Sequence, residues 1–268
     1  MLPVVFSVST VLLYLVATAR LAIPIVKGVP DPQAKPQALA LAALAVVLHG
    51  VVLSQAVFVP GGLNLGFFYA ASLFAWVIAA IIVIASLGQP LENLFFVGLP
   101  LAATSAALAL AFPSSRVVAL GRGFGFEIHL VLAVIAYALV SVAAVQAVVL
   151  AFQEHQLRRR RLGGAVRALP PLQTMETLLF QLIAAGFFML TTAIVSGAMF
   201  VEDLFGQHLA HKTVLSVIAW VILGILLWGR WRFGWRGRVA IRWSLGGFFA
   251  LMLAYFGSKF VLELVLKR

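Results

Sequence analysis

The chain has 268 residues, 63% of them hydrophobic and only 10% charged, against roughly 25% charged residues in a soluble globular domain. A mean hydropathy of +1.11, spread along the whole length, excludes a water-soluble enzyme and also a soluble domain hung on one anchor. The formal charge of +11 would point to nucleic acid in a soluble protein. In a membrane protein basic residues mark orientation instead, so no nucleic-acid partner is expected and the lipid bilayer is the first one. There is no cysteine, which excludes disulfides, thiol redox chemistry, cysteine-ligated zinc and thioether attachment of haem within this chain.

A spanning helix needs about 20 mostly apolar residues. Runs of that kind, bounded by charge, proline or glycine, fall at 3–26, 36–58, 65–87, 93–112, 126–152, 174–200, 213–229 and 240–265. The expected fold class is therefore all-α: a polytopic bundle of about eight transmembrane helices forming a single transmembrane domain over residues 1–268. The first run lacks a basic start and ends on Arg20 and Lys27 rather than on small residues, so it is expected to be a retained helix rather than a signal peptide. The breaks carry turn chemistry: Lys27-Gly-Val-Pro-Asp-Pro, Val59-Pro-Gly-Gly, Gly88-Gln-Pro, Phe112-Pro-Ser-Ser and Ala168-Leu-Pro-Pro. Neither a strand pattern nor an internal repeat is visible.

Counting lysine and arginine on alternate sides orients the chain. With both termini on the outer, periplasmic side, the inner side takes Arg20, Lys27, Lys35, the arginines at 158–161 and 167, and those at 230, 232, 236, 238 and 242. The outer side keeps Arg116, Arg122, Lys212, Lys259, Lys267 and Arg268. The excess inside matches the positive-inside rule. The run Arg158–Arg161 reads first as a topology anchor and second as a site for anionic lipid or a partner. Trp228, Trp231, Trp235 and Trp243, interleaved with arginines, read as an interfacial aromatic belt.

Ionisable residues in or near a bilayer cost free energy unless they are paired or used, so the five histidines form the shortlist. His129 starts the fifth span, next to Glu127 and at the outer face. His208 and His211 lie in the outer segment between spans six and seven, downstream of Glu202 and Asp203, so three histidines converge on one face. Imidazole is the usual axial ligand of haem, which also needs an apolar pocket and cations for its propionates. His129 with His208 or His211 can supply the axial nitrogens, and Arg116, Arg122 or Lys212 the cations. Polar residues at a membrane interface are the plain alternative. His49, within the second span, reads as an interhelical hydrogen-bond partner or as a ligand or proton relay, and His155 as a solvated residue beside arginines.

Other features carry no chemistry. The segment Gly121–Phe126 has the wrong spacing for a nucleotide loop and no preceding strand, and reads as a flexible turn. Glu202 and Asp203 are adjacent and diverge on a helix. Glu92, Glu176 and Glu263 lie at helix ends, so no carboxylate chain for a proton pump is present, and without an inverted repeat a small-solute transporter is disfavoured. Ser196-Gly-Ala, with Gly186 in the same span, reads as a small-residue packing face.

The stretch Leu169-Pro-Pro-Leu, Gly186-Phe-Phe-Met-Leu-Thr, Ile194-Val-Ser-Gly-Ala198, Ala219-Trp220, Trp228-Gly229, Gly234-Trp-Arg-Gly-Arg238 and Ala254-Tyr-Phe-Gly257 resembles the cytochrome c assembly proteins of the CcsA and HemX type, best from about residue 126 onwards. The eight-span layout is similar to the family's YpjD-like inner-membrane branch. The resemblance implies haem binding or handling at the outer face during cytochrome c maturation, with a protein partner in that process. It implies that His129 matches an external ligand histidine and that residues 201–212 occupy the haem-facing segment. Two departures stand out: Gly206–Lys212 contains no tryptophan, and no histidine occupies Trp228-Gly-Arg230 or Phe256-Gly-Ser-Lys259, where the family's later histidines are expected. A haem-handling or accessory role, with no catalytic residue, is thus the leading expectation for a multi-pass protein of the bacterial inner membrane. Its candidate haem residues are His129, His208, His211 and His49, with His129 and His211 as iron ligands. The alternative is a non-enzymatic membrane regulator or partner subunit, of tetrapyrrole synthesis or a transport complex, that has lost haem ligation and docks through the Arg158–Arg167 segment.

Overall fold

A computed structural model describes residues 2–29, 31–113, 117–119, 123–160, 169–200, 210–257 and 259–260. Eight helices are long and apolar enough to cross a membrane: α1 (Leu2–Lys27), α2 (Ala34–Val57), α3 (Phe67–Ala85), α4 (Phe95–Ala111), α5 (Phe124–Arg158), α6 (Leu172–Phe200), α7 (Ala210–Phe233) and α8 (Gly237–Met252). A 3-10 turn, Glu92–Leu94, leads into α4, and a π-helical turn, Leu253–Gly257, extends α8. The protein is a polytopic membrane protein.

The boundaries follow local chemistry. Helix α5 runs well past its apolar stretch because Gln153-Glu-His-Gln-Leu-Arg158 is made of residues that tolerate a helix in water, and Arg158 is paired with Glu154 one turn earlier at 2.6 Å. Helix α7 ends in a Schellman-type cap: the Gly234 N–H donates to the Arg230 carbonyl and the Trp235 N–H to that of Gly229, with Gly234 at φ +68°, a conformation that favours glycine. Of the segment Gly121–Phe126, expected as a flexible turn, Gly121 and Arg122 lie outside the described residues. Gly123 turns the chain at φ +96°, but Phe124 already opens α5, and a Cβ on Gly125 would lie 2.3 Å from the Phe200 ring. That glycine therefore serves helix packing.

Contrary to the expectation of no strands, Phe58–Val59 (β1) pairs antiparallel with Gly62–Asn64 (β2) around Pro60-Gly61, and Val117–Ala119 (β3) is third in the sheet order. Strands of two or three residues are too short to show alternation, so only the Pro-Gly-Gly turn signalled them.

The chain divides into two compact units, Met1–Val118 with Phe152–Leu172, and Ala119–Ala151 with Gln173–Arg268. In the first, α1 to α4 meet through small side chains: Ala17, Ala38, Ala42, Ala45, Ala79 and Ala102 are fully enclosed, while Val47, Ile84 and Leu101 are exposed. Small residues inside and bulky apolar residues outside is the pattern of helices solvated by lipid. At the end of the unit opposite the hairpin, polar contacts tie the helix connections: Arg20 to Asp31 at 2.6 Å and to Gln37, and Lys35 to Glu92.

In the second unit, α5 to α8 pack closely. Gly186 of α6 lies where a Cβ would sit 3.0 Å from Val140 of α5, as its small-residue reading implied. Trp220 of α7 stacks on Phe187 of α6 at 5.5 Å and donates its indole N–H to Thr191, and Gly247 of α8 rests against Leu223. Buried Gln146 of α5 donates to the Met175 carbonyl of α6. Glu176 of α6 accepts the Gly237 N–H, satisfying one of the open donors at the start of α8.

Candidate functional site

Within the second unit, alternation of antiparallel helices brings the start of α5, the end of α6, the start of α7 and the end of α8 to one end. His129 sits one turn into α5. Its Nδ1 lies 2.9 Å from the Ala193 carbonyl oxygen and 3.2 Å from Ser196 Oγ, both on α6. A carbonyl oxygen only accepts, so Nδ1 carries the hydrogen and, in the neutral ring, the lone pair is on Nε2. That nitrogen has no hydrogen-bond partner among the described residues. The ring is wedged against backbone: a Cβ on Gly197 would lie 2.9 Å from its Cε1. A backbone carbonyl holding one imidazole nitrogen while the other stays open is the arrangement that orients metal-ligating histidines.

On α7, His211 Nε2 is buried with no hydrogen-bond partner. A buried polar atom left unpaired costs roughly 1–3 kcal/mol, and a ligand atom is one way to recover it. Lys212, the next residue, lies over the Tyr255 ring at 5.7 Å, and Lys259 lies over the same ring at 5.8 Å. Tyr255 belongs to the π-helical turn. The wider turn of a π-helix displaces side chains from the register of an α-helix and recurs at functional sites. Tyr137 of α5 donates its hydroxyl to the Leu251 carbonyl just before that turn, and its ring meets Tyr255 edge-on at 6.1 Å. Two ammonium groups are thus gathered at the end of the unit that carries His211.

The other sequence-stated candidates divide. His208, Glu202, Asp203, Arg116 and Arg122 lie outside the described residues. His155 is exposed on α5. His49 is fully buried in the first unit, with Nδ1 3.3 Å from the Tyr14 hydroxyl and Nε2 2.9 Å from Ser72 Oγ; it joins α1, α2 and α3. Among the described residues no three histidine or carboxylate side chains gather as a multi-ligand metal site would need. One or two imidazoles suit an iron whose remaining ligands come from a porphyrin. The sequence reading missed Gly197 as a cradle, the Ala193 carbonyl as tautomer lock, and Lys259 as a partner of Lys212. Only Gly197 left a trace, as part of the small-residue stripe.

The family model described as Cytochrome C assembly protein matches residues 38–266. The chain belongs to the cytochrome c assembly family. It is 30% identical over 226 residues to the Inner membrane protein YpjD of Escherichia coli K12, covering 84% of this chain and 86% of that one. It is 35% identical over 163 residues to a 28.8 kDa protein of Azospirillum brasilense, covering 60% of each. A shorter likeness, 29% over 103 residues, or 38% of this chain and 30% of that one, joins it to the Cytochrome c biogenesis protein CcsA of Gloeobacter violaceus. No solved structure matches. The family match extends well upstream of residue 126, so α2 to α4 share the family character that the motifs alone placed in the C-terminal half.

Proposed function

We propose that this member of the cytochrome c assembly family is a multi-pass inner-membrane protein that holds haem at the periplasmic end of its second unit during cytochrome c maturation. The observation that carries the reading is the His129 ring, fixed by Ala193 and Gly197 with Nε2 open. His129 is the first axial ligand and His211 the second. Lys212 and Lys259 supply positive charge for the propionates, and exposed Met199, Phe200 and Val214 at the same helix ends supply apolar surface for the ring. The inner-membrane location rests on the eight spans and on the name of the Escherichia coli relative. The periplasmic placement rests on the basic excess, which favours both termini outside. The haem is cargo as much as cofactor, and attachment to apocytochrome falls to protein partners.

The test is the absorption spectrum of protein purified from haem-replete membranes. A Soret band that is lost when His129→Ala and His211→Ala are combined is the expected result. A colourless protein, or a band indifferent to both substitutions, overturns the assignment.

A further inference from the structure

The first unit holds a cavity of about 390 Å³ at the end that carries the β-hairpin, within the 300–1,000 Å³ range of small-molecule sites. All four helices α1 to α4 line it, and among the described residues none that lines it is charged. Its wall is mainly aliphatic, with Val52, Leu53, Ala106, Ala109 and Leu110 among the lining residues, and with the polar side chains of Ser7, His49, Gln55, Tyr69 and Ser72.

Those polar groups leave donors over. Tyr14, His49 and neutral Ser72 together carry three hydrogens for two mutual hydrogen bonds. Tyr14 is fully buried and does not line the cavity. An unsatisfied phenol there would cost free energy, so Tyr14 donates to His49 Nδ1, His49 Nε2–H donates to Ser72 Oγ, and the Ser72 hydroxyl hydrogen is left for the cavity. Tyr69, three residues earlier on α3, lines the same cavity and has no hydrogen-bond partner among the described residues. Positions three apart on a helix are neighbours on one face, so one face of α3 presents two hydroxyl-bearing residues to a mainly apolar cavity.

We infer that this cavity binds a neutral, membrane-soluble ring compound with carbonyl acceptors, of the quinone class. An acceptor is called for because Ser72 and Tyr69 bring uncommitted hydroxyl hydrogens to the wall, while the Ser7 hydroxyl is committed to the Pro3 carbonyl and the Gln55 amide can donate as well as accept. Neutrality is called for because no lysine or arginine among the described residues lines the cavity to meet a carboxylate, which also separates it from the haem site proposed in the second unit. Apolar character is called for by the mainly aliphatic walls.

The full-length protein in lipid nanodiscs is titrated with decyl-ubiquinone, and binding is followed by tryptophan fluorescence quenching against empty nanodiscs. Saturable binding is expected. Ser72→Ala should weaken it about five- to tenfold, the loss of one hydrogen bond. Ala109→Phe, which fills the cavity, should abolish it, and His129→Ala should leave it unchanged. Partitioning no greater than into empty nanodiscs, binding unaltered by both Ser72→Ala and Ala109→Phe, or binding lost with His129→Ala would overturn the inference.

Discussion

Substituting alanine at Gly197 isolates the orientation of His129 from the stability of the fold. The new Cβ would sit 2.9 Å from Cε1 and 3.3 Å from Nδ1 of the ring. Non-bonded carbons settle at about 3.5–4.0 Å, so the ring must withdraw by roughly 0.7 Å. Its Nδ1 is 2.9 Å from the Ala193 oxygen, and a retreat of that size stretches the contact to about 3.6 Å, beyond a hydrogen bond. Removing such a supporting contact lowers metal affinity by about 10–100-fold. The same change adds helix propensity worth up to about 1 kcal/mol, so the helix itself is not weakened. Haem titration in detergent, read at the Soret band, should give the weaker affinity while the thermal midpoint stays level or rises. Ser196→Ala keeps the Ala193 carbonyl and should change affinity by less than about threefold. A Gly197→Ala protein that binds haem like the parent refutes the role given to the Ala193–His129 contact.

Four further outcomes are expected. Trp220→Phe keeps the stack on Phe187 but removes the bond to Thr191, costing about 0.6 kcal/mol, whereas Trp220→Ala costs about 3 kcal/mol, both measurable by denaturant unfolding in micelles. Glu176→Ala strands the Gly237 N–H and should cost about 1–2 kcal/mol, with faster hydrogen exchange in the first turn of α8 and recovery in Glu176→Gln. The Arg20 guanidinium, with the Gln33 N–H, holds the Asp31 carboxyl below its ordinary range. A lowered carboxyl stabilises above its unfolded value, near 3.9, and the gain fades as pH falls through the folded one. Asp31→Asn should thus melt lower than the parent at pH 7, the gap closing below about pH 4. Because the chain has no cysteine, single cysteines at Gly61 and Gly88 report orientation: an impermeant maleimide should label the first in intact cells and not the second, and the reverse pattern would invert the topology.

The helices were legible because each spanning run is written in one alphabet, apolar residues closed by Pro, Gly or charge, and α1, α3 and α6 fall within about two residues of their sequence bounds. The misses come where that alphabet ends. Helix α5 continues through Gln153–Arg158 because hydropathy marks the membrane and not the helix. The β-hairpin escaped because pairing of two or three residues is a tertiary matter. At the site, His129 and His211 were visible as ionisable groups near a membrane, but the Ala193 carbonyl is a backbone atom with no sequence signature, and the meeting of Lys212 with Lys259 on Tyr255 joins α7 to the π-helical end of α8. His49 was read both as an interhelical partner and as a ligand; its bonds to Tyr14 and Ser72 occupy both ring nitrogens.

The most direct measurement on the proposed haem site is low-temperature electron paramagnetic resonance of the protein titrated with ferric haem, in the parent and in His129→Ala. Two axial imidazoles should give a six-coordinate low-spin signal in the parent, converting to high-spin in His129→Ala and returning on addition of free imidazole. A high-spin parent, or a low-spin signal that survives His129→Ala unchanged, would contradict haem ligation by His129.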